Sequence, residues 1–150
     1  MNKKEMVLAF VFNTKKTKVL LIHKEKPEWQ KGFINGIGGK VEKYETPLDA
    51  IVREIYEETG LNLIDQSWKL RSFSSMEGDD WIVHNFVCFS DLIFLAKSNE
   101  SEKVEIFNYP LSKEIKTIYN LSYLLPLALD EQQRFTSIDY TSNGKVSKNG

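Results

Sequence analysis

The hydrophobic pattern of the N-terminal half predicts strands and loops. Residues 6–12 and 19–22 are rich in β-branched and aromatic side chains, and the polar segment 13–18 between them predicts a hairpin. Residues 23–31 are polar and contain a proline, which favours a loop. Residues 33–37 are predicted as a short strand that runs into a glycine-rich turn, because glycine permits tight backbone conformations.

The C-terminal half is predicted to continue with strands and to end in helices. The segments predicted as strands are 67–75, 81–96 and 104–109, and those predicted as helices are 111–118 and 120–133. Pro126 is expected to kink the last helix or to shift its start, because proline lacks a backbone N–H. Strands on both sides of one helix, with another helix near the end, predict an α/β sandwich with a mixed sheet.

The clearest helical pattern lies between Thr46 and Gly60. Thr46 is a suitable N-cap, Pro47 suits the first helical position, and Asp49 stands three residues after the cap. Gly60 is suited to a left-handed residue after the last turn. The apolar stripe expected to face the core contains Leu48, Ile51, Val52, Ile55 and Thr59.

The other face of this helix carries an unusual concentration of acid. Glu54, Glu57 and Glu58 have i, i+3 and i+4 spacing, so their carboxylates lie on one side of the helix. Like charges at this spacing repel each other, and a solvated acidic surface is one interpretation. The other is a bound hard cation, since clustered carboxylates suit Mg²⁺ or Mn²⁺. The glycine-rich segment 35–40, which ends in Lys40, favours the second interpretation because successive backbone N–H groups bind anions.

Composition narrows the class of protein. The chain has 150 residues, 41% hydrophobic and 27% charged, with a net charge of −1. These values predict a single domain over residues 1–140 with a frayed tail over 141–150. The absence of a basic excess argues against a nucleic-acid polymer as partner. Because no apolar run is long enough for a signal peptide or a membrane span, we expect a cytoplasmic protein.

The spacing of these residues resembles the signature of a known enzyme family. Gly39 is followed at the family's intervals by Glu45 and by the segment 53–61, which reads REIYEETGL. Every position of this long, gapped pattern matches that of the Nudix (MutT-type) hydrolases. The resemblance implies a Nudix-type α/β/α sandwich with a mixed β-sheet.

The resemblance also implies a reaction and a set of roles. Nudix enzymes hydrolyse a nucleoside diphosphate linked to another group, with Mg²⁺, or Mn²⁺ in its place, carrying the phosphate charge. The metal ligands implied here are the carbonyl of Gly38 and the carboxylates of Glu54, Glu57 and Glu58. Arg53 is expected to orient a neighbouring glutamate, and Glu54 or Glu57 to activate water. Glu45 is expected to pair with Arg53 or cap the helix, and Gly60 is structural.

Candidate substrate-binding residues lie in and beyond the signature. Gly39, Lys40 and Lys24 are candidates for the phosphates, and Glu100, Glu102 or Glu105 for an additional acid, although each glutamate is also typical of a plain surface charge. The segments around Asn35 and Asn120 resemble those of hydrolases of oxidised purine nucleoside triphosphates, in which an amide contacts the base. The alternatives are a turn residue for Asn35 and an N-cap for Asn120. Trp29 and Trp81 are candidates for stacking on a base or for packing on the sheet.

These features predict a Mg²⁺-dependent pyrophosphohydrolase that acts on a small nucleotide. The preferred substrate is a nucleoside triphosphate, such as 8-oxo-dGTP, cleaved to the monophosphate and pyrophosphate. One alternative is ADP-ribose or another nucleoside diphosphate derivative. A non-catalytic nucleotide sensor on the same fold is the alternative from a different class. The oligomeric state stays open.

Overall fold

A computed structural model describes residues 4–76, 78–132 and 137–140, with backbone alone at residues 76 and 137–140. The strands are β1 (Lys4–Phe12), β2 (Lys18–His23), β3 (Ile34–Asn35), β4 (Ile37–Lys40), β5 (Lys69–Met76), β6 (Trp81–Phe89), β7 (Val104–Asn108) and β8 (Ser137–Tyr140). The helices are α1 (Pro47–Thr59) and α2 (Leu121–Leu129), with short 3₁₀ helices at Glu28–Gln30 and Asp91–Leu95. The expected hairpin, β1 and β2, is therefore present.

All described strands belong to one mixed sheet. Its main order is β3-β2-β1-β6-β5-β8, while β4 pairs with β1 and β7 pairs with β2. The pairs β1–β6 and β5–β8 are parallel, and the other pairs are antiparallel. The mixed sheet predicted from the sequence is confirmed.

Side chains alternate along the central strand β1 and fill two cores. Val7, Ala9 and Val11 pack with the buried face of α1, whereas Phe10 and Phe12 pack with α2. Both faces of the sheet are thus covered by a helix, which confirms the α/β/α sandwich.

Helix α1 forms as its sequence predicts. The Thr46 side chain accepts a hydrogen bond from the Asp49 N–H, and the Asp49 side chain accepts one from the Thr46 N–H. Gly60 ends the helix in the left-handed region, at φ 77°. The predicted core stripe is wrong at Leu48, whose surface is 45% exposed, because the sheet reaches only the face that carries Ala50 and Ile51.

The glycine-rich segment is not the predicted turn. Residues 37–40 form β4, where Gly38 pairs with Leu8 and Gly39 with Val7 of β1. This sheet pairing occupies backbone groups of β4, so the segment is not a free loop of N–H groups around an anion. The glycines instead allow the backbones of β4 and β1 to approach each other closely, because a Cβ on Gly38 would overlap the Val7 carbonyl oxygen.

Two other predicted elements are also wrong. The strand expected over 81–96 ends at Phe89, because Ser90 caps the following 3₁₀ helix by accepting from the Leu92 N–H. Residues 111–118, all of them described, form no helix. Part of that segment instead runs beside β3, where Ile34 donates to the Lys116 carbonyl and accepts from the Ile118 N–H. These pairings outweigh the local helical pattern.

The last helix is shorter than predicted, since α2 ends at Leu129 and contains Pro126 within it. The strand β8, parallel to β5, has no counterpart in the sequence prediction. The tail predicted over 141–150 lies outside the described residues. No helix among the described residues is long and apolar enough to cross a membrane.

Candidate active site

Arg53 organises the acidic face of α1. Its Nε lies 2.7 Å from Glu45 Oε2 and its Nη2 lies 3.0 Å from Glu45 Oε1, a two-point contact that matches the planar guanidinium. Nη1 donates to Glu54 at 2.9 Å and to Glu57 at 3.2 Å. Nη2 also donates to the Lys40 carbonyl at 3.0 Å. One side chain therefore holds two glutamates of the helix, the preceding loop and the end of β4 in a fixed relation.

The hydrogen bond from Arg53 also affects the ionisation of Glu45. It is the main reason why the pKa of Glu45 lies below its ordinary value, while the same bond raises the pKa of Arg53. Both groups are therefore fully charged at neutral pH, and the pair is permanent in that range.

Glu54 lies against the backbone of β4. A Cβ on Gly39 would overlap the Glu54 carboxylate, so any other residue at position 39 would displace it. Burial raises the pKa of Glu54, with Arg53 opposing the shift. The signature glycine and glutamate are thus fitted to each other sterically, which explains why glycine stands at this position.

Glu58 is the least compensated acid of the face. Its Oε2 is buried and accepts no hydrogen bond from any described residue. Burial, followed by the nearby charges of Glu102 and Glu54, raises the pKa of Glu58 to about 7. A buried oxygen without a donor, near other acids, is the arrangement that a cation would stabilise.

The chemistry of these groups fits a hard divalent cation, although the side chains do not yet form a complete shell. Within residues 4–76, 78–132 and 137–140, no three acidic, histidine or cysteine side chains converge as a metal cluster. Glu54 and Glu57 turn instead toward Arg53. The atoms that these glutamates and the Gly38 carbonyl would offer to a cation are all oxygen, as Mg²⁺ prefers.

A pocket on the α2 side of the sheet adjoins this acidic face. It contains five of the residues proposed from the sequence to bind substrate or metal: Lys24, Asn35, Gly38, Gly39 and Asn120. Trp29 and Trp81 line it together with apolar side chains of β1 and β6, including Leu8 and Val83. Lys40 is placed differently, because its exposed side chain lines a second cleft, which shares Met6 and Trp81 with this pocket.

The two asparagines have different surroundings. Asn35 Oδ1 accepts from the Gly36 N–H at 2.8 Å, and its Nδ2 donates to Gln30 at 3.2 Å. One donor and one acceptor of the Asn35 amide are therefore already used within the protein, which is half of its hydrogen-bonding capacity. Asn120 makes no side-chain cap with the described residues of α2, and its buried Oδ1 has no partner among them. Asn120 thus stands at the N-cap position, as the alternative from the sequence has it, but its side chain does not cap the helix, and its acceptor is available to a ligand.

Glu102 differs from the plain surface charge that the sequence suggests. Only 4% of its surface is exposed. It accepts from Lys24 Nζ at 3.0 Å and from the backbone N–H groups of Glu25 and Lys26 at 2.6 and 3.2 Å. Burial alone raises the pKa of Glu102, but these donors together lower it below its ordinary value. Glu102 therefore fixes Lys24 and its loop at the edge of the pocket.

The sequence did not single out three polar residues near the pocket. Gln30 holds Asn35, Ser74 lines the pocket, and Asn85 lies buried beside Ser74. A buried asparagine in an apolar strand is a weak signal for such a role, because the opposite strand must be known before its partners can be identified. Cys88 is fully buried, and burial raises the pKa of its thiol to about 12, which agrees with an inert cysteine.

Comparison with known proteins identifies the class. The family model of the NUDIX domain matches residues 3–120. This match covers most of the chain, and the acidic helix with its glycine strand lies within it. The chain belongs to the Nudix (MutT-type) hydrolase family.

Individual relatives are distant. The chain is 28% identical over 114 residues to the methanol dehydrogenase activator of Bacillus methanolicus. That match covers 74% of this chain and 61% of the activator, so the chain spans less than two thirds of its relative.

The solved structures support the fold. The mutator MutT protein of Bacillus halodurans is 21% identical, with a TM-score of 0.66 over 95% of this chain and 94% of that one. A MutT structure from work on Aliivibrio salmonicida and Vibrio cholerae is 17% identical, with a TM-score of 0.60 over 85% and 98%. At these identities the likeness concerns the fold alone.

Proposed function

We propose that this protein is a Mg²⁺-dependent pyrophosphohydrolase that cleaves a nucleoside triphosphate to the nucleoside monophosphate and pyrophosphate. One observation carries the proposal. Gly39 lines the pocket and its backbone lies against the Glu54 carboxylate. A nucleotide whose base occupies the pocket would therefore extend its phosphates toward the acidic face of α1.

The pocket is lined by both a charged side chain and a neutral hydrogen-bonding group. Lys24, which is paired with Glu102, lines the pocket, and its positive charge acts on Glu58 of the acidic face, toward which the phosphates would extend. Asn120 supplies a buried acceptor among apolar and aromatic side chains, where a base would lie. This combination supports a nucleotide as ligand, because its anionic and aromatic parts have opposite requirements.

In the reaction, the oxygen of water forms a bond to one phosphorus while the bond from that phosphorus to the bridging oxygen breaks. Mg²⁺ held by the Gly38 carbonyl, Glu54, Glu57 and Glu58 would neutralise the negative charge that develops on the phosphates. Glu54 or Glu57 takes up a proton of the attacking water. Arg53, which donates to both carboxylates, holds them in the orientation that this proton transfer requires.

Asn120 supports the recognition of a purine base. A purine offers both donors and acceptors along its edge, and the unpartnered Asn120 Oδ1 would accept from a base N–H. The Asn35 amide retains one donor and one acceptor for the same purpose. We therefore propose a purine triphosphate, with an oxidised purine such as 8-oxo-dGTP as the first candidate.

The test is a substrate panel with product analysis. Canonical and oxidised nucleoside triphosphates, ADP-ribose and dinucleoside polyphosphates are incubated with the protein, with and without Mg²⁺, and ranked by kcat/KM. Release of pyrophosphate and monophosphate only with Mg²⁺ supports the proposal. A preference for ADP-ribose would replace the substrate class, and binding of nucleotides without any turnover would indicate a sensor.

A further inference from the structure

We propose that Ser74, held in place by Asn85, is a specificity-determining residue that hydrogen-bonds the edge of the base. The inference rests on the proposed function, because it assigns a contact within the nucleotide pocket. It adds a polar group from strand β5, which the family signature does not include.

The first observation is the placement of Ser74. It lines the pocket together with Asn120 and Val83, yet only 3% of its surface is exposed, so it lies deep in the pocket. Most of the surrounding side chains from β1 and β6 are apolar. A hydroxyl in such surroundings forms strong hydrogen bonds and is costly to leave without a partner.

The second observation is the pair of hydrogen bonds by which Asn85 holds Ser74 and Ser72. Asn85, 2% exposed, donates from Nδ2 to Ser74 Oγ and to Ser72 Oγ, each at 3.0 Å. Its Oδ1 has no partner among the described residues, which means that this cluster is not saturated by the protein. Because Asn85 occupies one lone pair of the Ser74 oxygen, the Ser74 O–H remains available to a group in the pocket.

A bulge directs both serines to this side of the sheet. Leu70 pairs with Phe86 and packs in the α1 core, but the register shifts before Ser72, which pairs with Asn85. Without the shift, the alternation of the strand would turn Ser72 and Ser74 toward α1. A bulge that redirects side chains beside a site is a common feature of functional sheets.

Ser72 provides a matched control. It receives the same hydrogen bond from Asn85 and is equally buried, at 1% exposure, but the pocket is lined by Ser74 and not by Ser72. Ser72→Ala therefore removes the same support from Asn85 without removing a ligand contact. Comparable melting temperatures for Ser72→Ala and Ser74→Ala would show that the two variants fold alike.

Binding is measured by quenching of tryptophan fluorescence, since Trp29 and Trp81 line the pocket. The probes are GMP, AMP and ribose 5-phosphate, which lacks a base, all without added metal. For the purine monophosphate that binds wild type more tightly, we expect Ser74→Ala to raise Kd at least about tenfold and Ser72→Ala to change it less than about twofold. Ribose 5-phosphate should bind all three proteins alike.

Equal losses in both serine variants, or a loss of ribose 5-phosphate binding in Ser74→Ala, would overturn the proposal. So would wild type that binds GMP and AMP no better than ribose 5-phosphate. These results are independent of the proposed reaction, because hydrolysis of triphosphates with Mg²⁺ is measured separately and would persist if Ser74 made no base contact.

Discussion

The acidic face of α1 and the pocket on the α2 side of the sheet are assembled in different ways. The acidic face comes almost entirely from one segment, in which Arg53 joins Glu45, Glu54 and Glu57 between residues 45 and 57. The pocket draws Lys24, Asn35, Ser74 and Asn120 from four separate parts of the chain. The first region is dense in charge, whereas the second is mostly apolar with a few polar atoms.

Under the proposed function, this difference separates the reaction from the recognition of the base. A cluster of carboxylates supports hydrolysis of phosphates whatever base they carry, because it acts on charge. In the proposed function the pocket acts on the shape and hydrogen-bonding edge of the base, where an acceptor such as Asn120 Oδ1, which has no partner among the described residues, would discriminate. Substitutions in the two regions should therefore change different kinetic quantities.

The largest effect is expected from Glu57→Gln. Loss of a charge from the acidic face should lower kcat by at least ~10²-fold for every substrate, because stabilisation of the phosphate charge is lost. Glu42→Gln is the control, since Glu42 Oε1 also lies near Arg53 Nη1, at 3.7 Å, but Glu42 precedes α1 and is not part of its acidic face. Near-normal turnover of Glu57→Gln at saturating Mg²⁺ would remove this residue from the site.

A smaller loss is expected from Arg53→Lys. Lysine keeps the charge but cannot contact Glu45, Glu54 and Glu57 together, so the carboxylates lose their fixed geometry. We expect kcat to fall by about 10–10²-fold with substrate ranking unchanged, because misplaced groups cost rate without altering base recognition. A changed ranking of purine against pyrimidine triphosphates would show that the two regions are coupled.

Asn120→Ala should instead change the ranking of substrates. Removing the acceptor should lower kcat/KM for the preferred purine triphosphate by about 10–100-fold, the equivalent of roughly 1–3 kcal/mol, and change a pyrimidine triphosphate little. Asn35→Ala should behave alike if both amides face one base. Asn120→Asp keeps an acceptor and serves as the matched variant. The same substrate ranking before and after both alanine substitutions would argue against purine recognition.

The smallest effect concerns the stability of the metal-free protein. Since the folded-state pKa of Glu58 is raised to about 7, the folded protein prefers the protonated acid, and stability should fall as pH rises from about 4.5 to 7. Solvent screening limits this loss, so we expect Glu58→Gln to raise Tm at pH 8 by about 2–4 °C and to flatten the pH dependence. Differential scanning calorimetry from pH 4 to 8 measures both.

The same melting experiment with added Mg²⁺ tests whether Glu58 binds the cation. Binding to the native state stabilises by mass action, so Mg²⁺ at pH 8 should raise the Tm of wild type more than that of Glu58→Gln. Equal shifts in the two proteins would place the cation away from Glu58.

What could be predicted from the sequence was encoded over short distances. Thr46, Asp49 and Gly60 specify the ends of α1 by hydrogen bonds within the helix and its caps, and the structure has both ends where the pattern predicts them. The spacing of Glu54, Glu57 and Glu58 follows from helical periodicity alone. For these residues the local sequence contains the whole physical reason.

Other features depended on contacts that no local pattern contains. Residues 111–118 have a helical pattern, but 116–118 run beside β3, because Ile34 forms hydrogen bonds with Lys116 and Ile118. Gly38 and Gly39 belong to a strand because β1 pairs with them, and glycine is required there by Val7 and Glu54. Ser74 faces the pocket only because the register shifts before Ser72.

The sequence by itself therefore determined the acidic helix, its caps and the match to the Nudix signature, since these depend on the spacing of residues close together in the chain. Only the tertiary structure decided which polar atoms enter the pocket and which the protein already satisfies. Asn35 and Asn120 look alike in sequence, but Asn35 is hydrogen-bonded to Gly36 and Gln30, whereas Asn120 Oδ1 has no partner in the described part of the chain. The physical reason is that the packing of the sheet and its helices determines the hydrogen bonds between distant segments. The residues next to a position in the sequence do not specify which residues contact it in the folded protein.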